Sequence, residues 1–239
     1  MTAIVTRSTR HGRAADIPAG TVDSTPAVVL FGDVVGSRRY VGGAASWLAS
    51  LSDLLDEHYG AGRLARFDFT QGDEIQGLLS PGADPIAAVL IATLADDAPP
   101  MRWVVVAGTV EPGVGPATRR TGPAFILARE TIGLARHRRD GLLVRTTDSR
   151  LDELLEGTAP VLAELLGRLT KRQRTVARLM LVEGSNQAEV ADALGVARAT
   201  ISVSYQRAGL RSITRLTHVV RTLIAEGAQV ARLPDTVAS

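Results

Sequence analysis

The chain has no cysteine in its 239 residues. That excludes disulfide frameworks, thiolate metal sites and cysteine nucleophiles together. Lysine is almost as scarce. Lys171 is the only one among 27 lysines and arginines, so chemistry that needs a lysine amine has a single candidate. Asparagine occurs once, at Asn186, and aromatic residues make up 4% of the chain. Long hydrophobic runs are lacking too. The longest nearly unbroken one, Pro85 to Ala95, is far short of the roughly 20 residues that cross a bilayer. The opening residues carry Arg7, Arg10 and Arg13 without the apolar core of a signal peptide. A cytoplasmic protein with no membrane contact is expected.

What is present is the composition of a globular protein, 45% hydrophobic and 22% charged. The length suffices for two domains, each with its own core. The excess of alanine, and of arginine over lysine, reads as the imprint of a GC-rich genome. The overall charge of +2 hides an asymmetry. Between Arg168 and Arg221 stand ten basic residues and three acidic ones, a net of +7, which leaves −5 for the remainder. A basic module on an acidic body points to a polyanion partner.

Residues 1–24 are polar and read as a flexible arm. Ala27 to Phe31 has a buried-strand pattern that stops at Gly32-Asp33. Ala44 to Tyr59 is helical in period. A hairpin follows, Leu64 to Thr70 and Glu74 to Leu79, about a turn at Gln71-Gly72-Asp73. Asp84 is an N-cap ahead of Pro85 for a helix ending at Leu94. A strand over Arg102 to Val110, a helix over Gly122 to Ala135 and a strand over Gly141 to Thr146 complete the order βαββαβαβ. The fold class is α+β: an α/β sandwich over 25–148, with helices on one face of a mixed sheet, followed by an all-α C-terminal domain. Residues 149–168 read as a helical linker broken at Gly157-Thr158-Ala159-Pro160. Residues 169–226 form the second domain and 227–239 a tail.

Thr170 is an N-cap for a helix with apolar positions Val176, Leu179, Met180 and Val182, ending at Gly184. A short helix runs from Gln187 to Leu194, and another starts near Arg198. Ala191 is small where two helices cross, and Gly195 permits the positive φ of a tight turn. Val190, Leu194, Val196 and Ile201 provide the apolar face that locks the pair. This is the helix-turn-helix pattern at its most constrained positions. Polar Ser204 stands where an apolar contact is usual, with Val203 or Tyr205 as the substitute. The stretch from Leu169 to Ala208 resembles the fourth-region modules of sigma factors and LuxR-type regulators. Double-stranded DNA is the implied partner. Arg198, Thr200, Ser202 and Gln206 would face bases, with Arg198 bidentate on guanine. Lys171, Arg172, Arg207 and Arg211 would meet phosphates, and Gln187 opens the second helix beside them.

In the N-terminal half, "VVLFGDVVGSRR" places Asp33 at a strand end before Gly36, Ser37 and Arg38. "QGDEIQGLL" places Asp73 in the hairpin turn. Two carboxylates at strand ends either share a divalent cation, which takes oxygen ligands and bridges to phosphates, or cap tight turns.

Val28 to Arg145 resembles the class III nucleotide cyclase domain. Both signatures fall in order, and "RWVVVAGTVEPGVG" and "TGPAFILARETIGLA" resemble the family's later strand and helix, with Gly108, Gly113 and Gly122 at its glycines. The whole chain resembles the SatD family, in which a cyclase-like domain is fused to a DNA-binding end. The resemblance implies Asp33 and Asp73 as ligands of Mg2+ or Mn2+, and Asp33, Gly36, Ser37, Arg38 and Asp73 as a nucleotide site. Ile126 and Glu130 stand where active cyclases carry an asparagine and an arginine, and Phe69 replaces the purine-selecting lysine. The loss of an arginine that meets developing phosphate charge would cost several powers of ten in rate. The expectation is a transcription regulator, not an enzyme, whose degenerate cyclase-like domain forms a homodimer and senses a purine nucleotide or cyclic nucleotide. Two alternatives stand beside it: an active nucleotide cyclase or related nucleotidyl-transfer enzyme, and a scaffold that only dimerises.

Overall fold

The computed structural model describes residues 24–37, 40, 43–70 and 73–232. The expected arm up to residue 23, Arg38, the turn residues Gln71 and Gly72, and positions 233–239 of the expected tail lie outside the described residues.

The elements of the first half follow the expected order: β1 (Thr25–Val34), α1 (Gly43–Tyr59), β2 (Arg63–Phe69), β3 (Glu74–Leu79), α2 (Pro85–Leu94), β4 (Met101–Val110), α3 (Pro123–Arg138) and β5 (Leu142–Arg145). They form a five-stranded mixed sheet in the order β2-β3-β1-β4-β5, with β4 and β5 the parallel pair. Asp84 caps α2 as expected, its Oδ1 accepting from the Ile86 N–H at 3.0 Å. The phenol of Tyr59 joins the end of α1 to that turn, donating to the Asp84 carbonyl at 2.7 Å and accepting from Ala88 N–H at 3.0 Å. Burial of the ring pushes the phenol pKa well up.

Two features depart from expectation. Helices cover both faces of the sheet, not one. α1 and α2 pack on the face of Val28, Leu30, Trp103 and Val105. α3 packs on the other, against Val29, Phe31, Val104 and Val106. The reason lies in β1, which is apolar at every position from Ala27 to Phe31 and buried throughout that run. A strand without polar alternation has no face to give to water. Nor does β1 stop at Gly32-Asp33. Gly32 is a point of close approach inside the ladder, where a Cβ would lie 2.8 Å from both Ile75 Cγ2 and Trp103 Cζ3.

The second half is α4 (Ser149–Gly167), α5 (Lys171–Leu181), α6 (Gln187–Ala193), α7 (Arg198–Arg207) and α8 (Leu210–Val230). The break expected at Gly157 to Pro160 does not occur: α4 is continuous through Pro160. Proline inside a helix costs about 3 kcal/mol. The apolar register Leu151, Leu155, Ala159, Leu162 and Leu166 is buried along its whole length, and each buried leucine returns roughly 1.5–3 kcal/mol. Burial wins. The stripe lies on β5 and α8, so α4 is part of the core and not a spacer. The side chains of α5, α7 and α8 continue the same hydrophobic cluster that begins at Val28 and Leu30. α8 also runs past the expected limit at residue 226, and its Gly227 lies against Thr146, where a Cβ would meet Thr146 Cγ2 at 2.5 Å.

Leu162→Ala is expected to lower stability by about 2–5 kcal/mol. Because sheet and helices share one core, denaturation followed by tryptophan fluorescence and by far-UV circular dichroism should give one midpoint. Two separated midpoints would contradict the shared core.

Candidate nucleic-acid interface and the strand-end carboxylates

Local chemistry fixes each turn of the helical half. α5 opens with a capping box: Thr170 accepts from Gln173 N–H, and the Gln173 side chain accepts from Thr170 N–H at 2.9 Å. α6 opens with another, between Asn186 and Glu189. The single asparagine of the chain is thus a helix cap. α6 ends in a Schellman motif, with Val196 N–H on the Ala191 carbonyl at 3.0 Å and Gly195 N–H on the Asp192 carbonyl at 3.2 Å. Gly195 has φ +62°, as the turn requires. Val190, Ala191 and Ile201 are buried between α6 and α7, with Leu194 and Val196 packed beside them. At the position of Ser204 it is Tyr205 that reaches the core, while Val203 stays exposed.

α7 presents Arg198, Thr200, Gln206 and Arg207 to solvent, with Ser202 half-buried among them. Arg211 and Arg215 continue the exposed row onto α8, and Arg172 is exposed at the start of α5. Gln187 is half-buried at the first turn of α6. Among the described residues no carboxylate lies within ion-pairing distance of Arg172, Arg198, Arg207, Arg211 or Arg215. Several other cations of this half have carboxylate partners, whereas half-buried Arg174 has none among the described residues. Lys171, expected at a phosphate, has its ammonium 2.9 Å from Asp97 in the turn after α2, which raises its pKa. Arg178 meets Asp96 and Glu183, and Arg221 lies 2.7 Å from Asp84. Exposed pairs of this kind are worth at most about 1 kcal/mol. What they decide is which cations remain unengaged.

The strand-end site is built otherwise than expected. Asp33 is not at a loop mouth. It lies within β1, 3% exposed, in register with Glu74 of β3 on one side and Arg102 of β4 on the other. Arg136, from the last turn of α3, clamps it with both edges of its fork: Nη2 donates to Oδ1 at 2.6 Å and Nε to Oδ2 at 3.2 Å. Arg102 Nη1 donates to Oδ2 at 3.2 Å. The hydrogen bonds to Asp33 raise the Arg136 pKa above its ordinary value. Glu74 lies 3.5 Å from Arg136 and accepts from the Gln76 amide at 2.9 Å. Asp73 is half-buried, and its main-chain carbonyl accepts from Val34 N–H at 2.9 Å. Gly36 has φ +70° in the turn that follows β1, and Ser37 accepts from Tyr40 N–H there.

This donor set does not fit a divalent cation. Both Asp33 oxygens face guanidinium groups, and a metal would have to displace Arg102 and Arg136 from a buried carboxylate. Among the described residues no three His, Cys, Asp or Glu side chains gather to hold a metal. The sequence reading missed Arg102 and Arg136. Arg102 was visible as a charge beside an apolar strand run, but nothing local ties Arg136 to Asp33, 103 positions away.

Residues 160–224 match the family model described as KORA, TrfB plasmid transcriptional repressor. The match begins within α4 and ends within α8. No curated protein matches the chain. Among solved structures it is similar to a bacterial light-regulated adenylyl cyclase, at 15% identity over 52% of this chain and 44% of that one, with a TM-score of 0.35. It is also similar to the guanylyl cyclase Cya2, at 16% identity over 45% of this chain and 69% of that one, with a TM-score of 0.29. The chain thus spans less than half the length of the first of these structures.

Arg136→Met should cost about 1–3 kcal/mol, because it strips the bidentate partner from a buried carboxylate. Millimolar Mg2+ or Mn2+ should leave the melting midpoint of the unmodified protein unmoved. A rise with either cation that is lost in Asp33→Asn would show Asp33 to be a metal ligand and not an ion-pair partner.

Proposed function

We propose that the chain is a DNA-binding transcription regulator in which α7 enters the major groove. The observation that carries this reading is the row of unengaged cations, Arg198, Arg207, Arg211 and Arg172, around the exposed polar side chains of a helix braced by α6. The match of residues 160–224 to a plasmid repressor family supports it. In the proposed complex Arg198, Thr200, Ser202 and Gln206 face base edges. Arg172, Arg207 and Arg211 hold phosphates. One such helix reads only a few base pairs, so a homodimer on two half-sites belongs to the proposal.

The sheet unit serves in this reading as a non-catalytic platform of the SatD type. Ile126 and Glu130, both exposed on α3, supply none of the charge stabilisation that phosphoryl chemistry needs. The two guanidinium groups on Asp33 support a platform that works without a bound metal. A nucleotide effector would then have to be held by contacts other than a metal at Asp33. It could act only by favouring one arrangement of the DNA-reading helices over another.

Fragments captured by the purified full chain from genomic DNA would supply a site for measurement. Arg198→Ala should lose about 1–3 kcal/mol on that site, roughly five- to 150-fold, with little change on unrelated DNA. Arg172→Ala and Arg211→Ala should weaken both equally and reduce the salt dependence by about one counterion each. An Arg198→Ala protein with unaltered preference would remove α7 from the role of reader.

A further inference from the structure

The joint between the sheet unit and the helical half encloses a pocket of about 160 Å³. Val89 of α2 and Trp103 of β4 line it from one side. Ala163 and Leu166 of α4 and Arg174 of α5 line it from the other, with Gly141 between. Two of these groups are chemically incomplete. The indole N–H of Trp103 is buried and has no hydrogen-bond partner in the protein, a deficit that costs about 1–3 kcal/mol if nothing fills it. The far edge of the same indole lies over Gly32 of β1. Gly141 is held by the Trp103 main chain, whose N–H donates to the Gly141 carbonyl at 2.9 Å. Arg174 uses Nε on the Leu169 carbonyl at 3.2 Å. Its neighbours Asp96 and Asp97 are spent on Arg178 and Lys171, and no carboxylate among the described residues pairs with it.

We propose that this pocket is a binding site for a small monocyclic aromatic carboxylate. The apolar walls, the Trp103 indole among them, take the ring, and the Arg174 guanidinium takes the charge. The volume sets the class: a cavity of roughly 150 Å³ accommodates benzene, whereas a nucleotide needs several times that space. The walls come from both halves of the chain, so an occupant braces α4 and α5 against α2 and β4 and favours one seating of the DNA-reading helices. That last consequence rests on the regulator reading. The ligand site itself does not.

The test uses the full chain carrying Trp47→Phe, which leaves Trp103 as the only tryptophan, titrated with benzoate. Saturable change in Trp103 emission is expected, weakened about tenfold or more by Arg174→Met and abolished by Ala163→Phe, which fills the pocket. Benzamide, the neutral analogue, should bind about as weakly to the unmodified Arg174 protein as benzoate does to Arg174→Met. No saturable response to benzoate, phenylacetate or salicylate would show a pocket that holds only water, and equal affinity in Arg174→Met would show that the guanidinium does not take the carboxylate; either result would overturn the proposal. In a parallel arm, benzoate should shift affinity for captured DNA several-fold in the protein with Arg174 and not in Arg174→Met. Unchanged DNA affinity under saturating benzoate would overturn the coupling. Absence of any DNA binding, with the fluorescence response intact, would count against the regulator reading and leave the site standing.

Discussion

The structure depends on one packing constraint: the apolar stripe of α4 must be covered on both sides. Leu151, Leu155, Ala159, Leu162 and Leu166 cannot be left to water, and the sheet edge at β5 and the inner face of α8 are the surfaces that take them. The consequence reaches well beyond α4. Once α8 is seated against Thr146 through Gly227, its other end fixes α7, because Leu210 and Ile213 share the cluster that holds Ile201. α7 is therefore carried by a continuous core and not by a tether. Any change in the sheet unit that moves β4, β5 or α2 is transmitted through side-chain contacts.

The second constraint is electrostatic. A buried carboxylate is tolerated only when it is paired and hydrogen-bonded. Asp33 meets that condition with Arg102 and Arg136, which come from a neighbouring strand and from the helix on the far face. Through these bonds Asp33 closes α3 onto the end of β1. Two geometries compete for one carboxylate, and guanidinium groups already in place gain over a hydrated divalent ion, which must shed water to enter.

Local signals made most of the elements legible in the sequence. Asp84 before Pro85, Thr170 three residues ahead of Gln173, and Gly195 after Leu194 each satisfy a backbone group within a few residues, so pattern alone locates them. The helix-turn-helix was readable for the same reason. What escaped was set by distance. The Gly32-Asp33 pair looks like a strand stop until Trp103 is seen against Gly32 and Arg102 against Asp33. Gly157 to Pro160 looks like a break until the buried stripe on either side is weighed against one lost hydrogen bond. The second helical layer could be inferred from β1, which has no polar alternation, but not assigned to α3 without knowing the strand order. Lys171 was placed among the phosphate contacts on charge alone, and only the fold brings Asp97 to it.

That last case explains how the basic segment divides its labour. Lys171 and Arg178 face the acidic turn at Asp96 and Asp97, and Arg221 faces Asp84. All three carboxylates flank α2. The net negative charge of the sheet unit is thus partly spent on holding the helical half in place, and it neutralises the basic side chains nearest to it. Within the basic segment the exposed cations left without carboxylate partners lie on α7, the start of α8 and the first turn of α5, while half-buried Arg174 lines the joint with the sheet unit. Charge segregation along the chain therefore serves two ends at once: the inner cations are neutralised against the sheet unit and add a modest electrostatic attraction to the apolar packing, and the outer ones keep their full attraction for a polyanion. A uniformly basic module on a neutral body would have the second property without the first. Its helices would be held to the sheet unit by apolar packing alone.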